Sequence, residues 1–88
     1  MAKHEYNYTL QIFDKAMKAL DAMTKSNRRQ IGYAMDGMQR AFSGDIKKLK
    51  GYDNRYRLRV GDYRVMFTLV KNDIQVYDIR DRKDAYAN

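Results

Sequence analysis

Eighty-eight residues without cysteine or proline leave room for one domain, residues 1–88, whose core holds by packing alone, with no disulfide framework and no thiolate metal site. The single histidine, His4, excludes a histidine-based metal cluster and a His-centred triad. A net charge of +7 and a pI near 9.7 point to a polyanionic partner, nucleic acid or an acidic protein. No apolar run approaches the ~20 residues that span a bilayer, and the first residues lack the zones of a secretory signal, so a soluble, cytoplasmic chain is expected.

In chain order, YNYTLQIF (Tyr6–Phe13) is rich in aromatic and β-branched residues and predicts a first strand. Asp14 follows as the predicted N-cap of a helix on which Met17, Leu20 and Met23 recur at helical spacing. A second helix is predicted to start after Ser26 or Asn27. Its apolar stripe is Ile31, Ala34, Met35, Met38, Ala41 and Phe42. Ser43-Gly44 predicts its end, the glycine supplying the left-handed turn. Met17, Met23, Met35 and Met38 lie on these stripes and read as core filling, not as a ligand-binding surface. Gly44–Asn54 reads as a polar, basic connection.

Three strands are then predicted, Arg55–Val60, Tyr63–Val70 and Ile74–Ile79, separated by Gly61-Asp62 and by a short loop at Asn72-Asp73. If the second loop is two residues long, Val76 falls opposite Leu69. The tail from Arg80 onward has no periodicity. The order β-α-α-β-β-β predicts an α+β fold: a helical hairpin packed on one face of a small, mainly antiparallel sheet, with the other face partly open.

That open face carries the charge. Residues 47–64 hold Lys47, Lys48, Lys50, Arg55, Arg57, Arg59 and Arg64 against only Asp53 and Asp62. Alternation points Tyr56, Leu58 and Val60 one way and the arginines the other. A two-residue turn at Gly61-Asp62 pairs Val60 with Tyr63, Arg59 with Arg64, and Arg57 with Met66. Like charges opposed across a sheet are destabilising, by up to roughly 1 kcal/mol. Asp78, Asp81 and Asp84 are available as salt-bridge partners, but they are too few to neutralise these arginines together with Arg80, Arg82 and Lys83. Surplus guanidinium suits phosphate, whose oxygens match the planar fork bidentately. Tyr52, Tyr77 and Tyr86 add aromatic groups beside the basic cluster, the arrangement that holds splayed RNA bases.

The segments KLKGYDNRYRLRVGDYRVMFTLV and IQVYDIRDRKDAY resemble the RelE family of bacterial toxins, ribosome-dependent mRNA interferases of the RelE/ParE superfamily. The resemblance covers nearly the whole chain. It is specific from YRLRVGDYRV to RKDAY and generic in the helical half. It implies a β-α-α-β-β-β toxin of a type II toxin-antitoxin system, without metal or cofactor. The toxin enters the ribosomal A site and cleaves the mRNA codon there, by attack of a ribose 2′-OH on the adjacent phosphate. It also implies a RelB-like antitoxin encoded alongside. The family's catalytic positions fall on Arg57, Arg59, Arg64, Arg80 and Tyr86. Lys48, Lys50, Arg55, Arg82 and Lys83 are the RNA-binding candidates around them. In this scheme Arg64 and Arg80 hold the scissile phosphate, Arg57 and Arg59 grip backbone, and Tyr86 stacks on or orients the target nucleotide.

The chain departs from the family at two places. Some members carry lysine at the positions of Arg57 and Arg59, and arginine effectively cannot give up its proton. Many carry histidine where Asp81 stands. Asp81 is then either a base by proximity or a salt-bridge partner of Arg64 or Arg80. Two further functions stay open on the sequence: a ParE-like inhibitor of DNA gyrase, and a non-catalytic RNA-binding module.

Overall fold

In the computed structural model, which describes residues 6–82, the alternating second half of the chain forms three consecutive antiparallel strands. These are β3 (Arg55–Val60), β4 (Tyr63–Val70) and β5 (Asp73–Asp81). The Gly61-Asp62 turn sets the predicted register, Val60 opposite Tyr63, Arg59 opposite Arg64 and Arg57 opposite Met66. Leu58, Val65 and Phe67 are fully buried on the side that faces the helices.

Two strands flank these three. The first, β1 (Thr9–Ile12), runs parallel to β5, from Thr9 opposite Asp73 to Ile12 opposite Val76. The other, β2 (Asp45–Lys48), pairs antiparallel with β3 and completes the order β1-β5-β4-β3-β2. This second strand corrects the reading of Gly44–Asn54 as a connection. Its four residues, DIKK, contain one apolar side chain, too little to register as alternation. Short charged strands are a usual way to blunt a sheet edge.

The helices α1 (Asp14–Asp21) and α2 (Lys25–Ala41) cover one face. Asp14 lies inside the first turn, after an N-cap at Phe13 that makes no side-chain bond. The carboxylate therefore acts on the helix dipole and not as a cap. Thr24 caps α2, its hydroxyl accepting from the Asn27 N–H at 3.2 Å, so the helix starts earlier than predicted. Leu20, Ile31, Met35 and Met38 are buried as expected, whereas Met17 is 44% exposed and Ala41 is also exposed.

The end of α2 is a second correction. Phe42, not a glycine, takes the left-handed conformation, with φ 52° and ψ 38°. That conformation costs a residue with a Cβ roughly 1–2 kcal/mol. The ring position offsets it. Phe42 meets Tyr8 at 5.4 Å, Tyr56 edge-on at 5.7 Å and Phe67 at 6.0 Å between ring centres. Such pairs contribute about 0.5–1.5 kcal/mol each beyond buried area.

Strand β5 also departs from simple alternation. The turn before it is Lys71-Asn72, so Ile74, not Val76, lies opposite Leu69. Further along, Phe67 pairs with Val76 while Met66 pairs with Asp78, leaving Tyr77 as an extra residue in a β-bulge. The core demands it: Ile74, Val76 and Ile79 are all buried, and a three-residue step from Val76 to Ile79 cannot keep both on one face of a regular strand.

Candidate functional site

The bulge decides what the open face contains. Uninterrupted alternation from Ile74 and Val76 would turn Asp78 and Arg80 into the core. With Tyr77 bulged, two rows run across the open side of the sheet. One is Asp45, Arg59, Arg64 and Arg80 on β2, β3, β4 and β5; the next is Lys47, Arg57, Met66 and Asp78. The first row sets three guanidinium-bearing residues side by side, and carboxylates from both flanks restrain it. The Asp45 carboxylate forms an ion pair with Arg59 Nε at 3.0 Å and accepts from Arg57 Nη1 at 3.4 Å, and its carbonyl accepts from the same Nη1 at 3.0 Å. Asp78 accepts from Arg80 Nε at 2.8 Å and lies 3.4 Å from Lys15 Nζ. Arg64, in the middle, has no carboxylate partner among the described residues.

Asp78 is 6% exposed, the one buried charged residue among those described. Burial by itself raises its pKa, but the hydrogen bond from Arg80 and the charge of Lys15 outweigh that and hold the carboxyl below its ordinary value. The bond engages Arg80 through Nε, so both terminal nitrogens of the guanidinium remain for a ligand.

A cleft of about 920 Å³ lies over the second row and its surroundings. Lys15, Lys47, Lys48, Lys50, Arg57, Arg64 and Arg80 line it against the single carboxylate of Asp78. A smaller cleft of about 490 Å³ adjoins it, lined by Asp45, Arg59, Asp62, Tyr63, Arg64 and Arg82. Arg64 belongs to both. Converging forks with uncommitted donors bind phosphate oxygens.

Among the predicted residues, Arg57, Arg64, Arg80, Lys48 and Lys50 meet in the larger cleft, and Arg59 and Arg82 join Arg64 in the smaller. Arg55 lines neither; it lies against Tyr52 and Tyr77. Tyr86 and Lys83 fall outside the described residues. Asp81 does not share the open face with Arg64 and Arg80. It sits opposite Tyr63 and lines a crevice with Asn27 and Gln30 on the helix side, and the acid that Arg80 holds is Asp78. Two cationic residues of the larger cleft, Lys15 and Lys47, were not among the predicted site residues. Lys47 was counted in the basic run but not as a site residue, because DIKK alternates too little to be read as a strand. Lys15 had no local signal: the Phe13 N–H donates to the Val76 carbonyl at 2.9 Å, so the start of α1 and the bulge of β5 leave the same point. Among the described residues no three His, Cys, Asp or Glu side chains gather as metal ligands, and no helix is long and apolar enough to cross a membrane.

Comparison with known proteins gives the family and the fold. RelE1 of Methanocaldococcus jannaschii is 29% identical over 87 residues, covering 92% of this chain and 97% of that one. The crystal structure of the RelB-RelE antitoxin-toxin complex from Methanococcus jannaschii contains a chain that is 30% identical. It superposes with a TM-score of 0.74 over 86% of this chain and 94% of that one. The chain belongs to the RelE family of toxins. The archaeal RelE-RelB complex from Pyrococcus horikoshii OT3 gives the same TM-score, 0.74, at 26% identity, covering 86% of this chain and 96% of that one. No protein-family model matches the sequence. For this RelE-family toxin, the α+β fold expected from alternation and spacing is the fold observed.

Proposed function

We propose that this toxin is a ribosome-dependent mRNA interferase that cleaves mRNA in the A site and so stops translation in the cytoplasm. The observation that carries the reading is Arg64, without a carboxylate partner among the described residues and set between Arg59 and Arg80 at the junction of two cationic clefts. In the proposed step, a ribose 2′-oxygen bonds to the adjacent phosphorus and the bond from phosphorus to the 5′-oxygen breaks. The 2′-hydroxyl gives up its proton, the departing 5′-oxygen gains one, and a 2′,3′-cyclic phosphate remains. Charge grows on the non-bridging oxygens, and preorganised guanidiniums act where it grows.

Arg64 and Arg80 hold the scissile phosphate in this scheme, with Arg80 aimed by Asp78. Arg57 and Arg59 grip the backbone from β3 while Asp45 fixes their spread. Lys48, Lys50, Arg82 and Lys83 add attraction for the surrounding strand. Tyr86 is assigned to the target nucleotide by resemblance. The protein contributes charge stabilisation and positioning. Asp78, already bonded to two cations, and Asp81, on the helix side, are not assigned as its base.

The RelE-RelB complexes of the two archaeal relatives support a RelB-like antitoxin as partner, one with acidic segments matched to this surface. Primer extension on a defined mRNA, with and without programmed ribosomes, tests the reading. Cuts at A-site codons only when ribosomes are present, lost in Arg64→Ala and Arg80→Ala, are expected. A folded sample that is toxic to cells yet makes no cuts would turn the assignment to gyrase. One that is neither toxic nor cleaving would leave an RNA-binding surface.

A further inference from the structure

Beyond the larger cleft, on the side away from the Gly61-Asp62 turn, the open face ends in an exposed stack. The Arg55 guanidinium carbon lies 4.4 Å from the centre of the Tyr52 ring and 5.5 Å from that of Tyr77. Tyr52 is 49% exposed, and Arg55 is exposed too. The stack is built, not incidental. The loop that carries Tyr52 is pinned at both ends, by the Leu49 N–H donating to the Arg55 carbonyl at 2.8 Å and the Leu69 N–H donating to the Asn54 carbonyl at 2.9 Å. Tyr77, the residue after buried Val76 and the bulged one of β5, faces it from that strand. Arg55 makes no hydrogen bond or ion pair through its side chain among the described residues, so its five donors are open to a ligand while the rings orient its plane.

We infer that Tyr52, Arg55 and Tyr77 form a second nucleotide subsite, which stacks one base and holds one phosphate of the strand flanking the cleft. The inference rests on the reading of the cleft as an RNA site and adds where the strand leaves it. Arg55 stands two residues before Arg57 on β3, about 7 Å along the strand, within reach of the next nucleotide of an extended chain. Lys50, at the cleft rim, lies two residues before Tyr52 and bridges the two sites. An exposed ring, Tyr52, and a half-buried one, Tyr77, beside a guanidinium fit single-stranded nucleic acid, because every base presents a π-face and every nucleotide a phosphate. An acidic protein segment would use the guanidinium but not two rings.

The test is binding of the whole chain, by fluorescence anisotropy at low salt, to a nine-nucleotide RNA with 2′-O-methyl riboses, which cannot be cleaved. Copies of that RNA lacking one base at a time complete the set. Tyr52→Ala is expected to weaken binding about 5- to 150-fold, the range for one stacked base, while Tyr52→Phe keeps wild-type affinity. Arg55→Ala is expected to flatten the salt dependence by about 0.7 in slope, the value of one phosphate on a single strand. One abasic position should cost the wild type as much as Tyr52→Ala does and cost that variant nothing further. Wild-type affinity in Tyr52→Ala and Arg55→Ala, with Arg64→Ala defective, overturns the subsite and leaves the cleft reading standing. A loss in Tyr52→Ala that leaves the abasic penalty unchanged overturns it as well, assigning the stack to structure. Unchanged RNA binding with weakened antitoxin binding makes the stack a protein contact. A wild type that binds none of these RNAs overturns the subsite together with the cleft.

Discussion

Arg64 and Arg80 stand directly opposite each other across β4 and β5, two like charges in one row, with a carboxylate partner for Arg80 and none for Arg64 among the described residues. Such an arrangement works against stability, so function and folding should respond to it in opposite directions. Arg64→Ala is expected to lower cleavage on programmed ribosomes by about 10²–10³-fold, the usual loss for one preorganised donor. Stability should stay level or rise by up to about 1 kcal/mol as the repulsion goes. Single-turnover cleavage and urea unfolding of the same sample check both halves. A variant that loses activity because it unfolds would contradict the assignment.

The carboxyl of Asp78 gives a pH signature. Its pKa in the folded chain lies below the ordinary 3.8. The unfolded chain therefore takes up this proton first as pH falls. Asp78 contributes stability that is fully present above about pH 4 and is lost as pH falls from there through the folded value. Urea midpoints between pH 5 and pH 2.5 should show a decline that Asp78→Asn reduces. At pH 7 the same substitution should cost about 1 kcal/mol. That figure is small because Arg80 and Lys15 are half-exposed or more and water screens them. Cleavage should fall more than stability does, since Arg80 loses the acceptor that aims it.

At the other flank, Asp45 competes with any phosphate for Arg57 and Arg59. Asp45→Asn is expected to tighten RNA binding several-fold at low salt and to steepen its salt dependence, because two guanidiniums are released. Stability should change by less than about 1 kcal/mol, as for other exposed pairs. Anisotropy titrations at several salt concentrations decide the point.

The left-handed Phe42 makes an unusual ordering of substitutions. At most helix positions glycine is worse than alanine by about 1 kcal/mol. Here both lose the ring contacts with Tyr8, Tyr56 and Phe67, but only alanine retains a Cβ in a conformation that penalises one. Phe42→Gly should therefore be more stable than Phe42→Ala by roughly 1 kcal/mol, measurable by thermal or urea unfolding. Both should fall below the wild type by a few kcal/mol.

Much of this site was legible in the order of residues. Alternation along β3 and β4, read through one two-residue turn, assigned Arg57, Arg59 and Arg64 to a common open face and paired Arg59 with Arg64. The pieces that were not legible depend on contacts remote in sequence or on competition within a strand. Thr9 meets Asp73 across most of the chain, and nothing near Lys15 announces that it will reach Asp78. With one apolar side chain in four residues, β2 exists because β3 offers it an edge. In β5 alternation placed Tyr77 correctly on the open face, but it would have turned Arg80 inward. Burial of Ile79 overrode it.

That bulge ties two properties to one residue count. Tyr77 shifts the phase of everything after it by half a period, so the positions that bury Ile79 are those that expose Arg80. Deleting Tyr77 would remove the extra residue, so that Asp78 follows Val76 in plain alternation and Ile79 and Arg80 keep their faces; flattening the bulge with Tyr77 in place would instead drive the guanidinium inward and the isoleucine outward together.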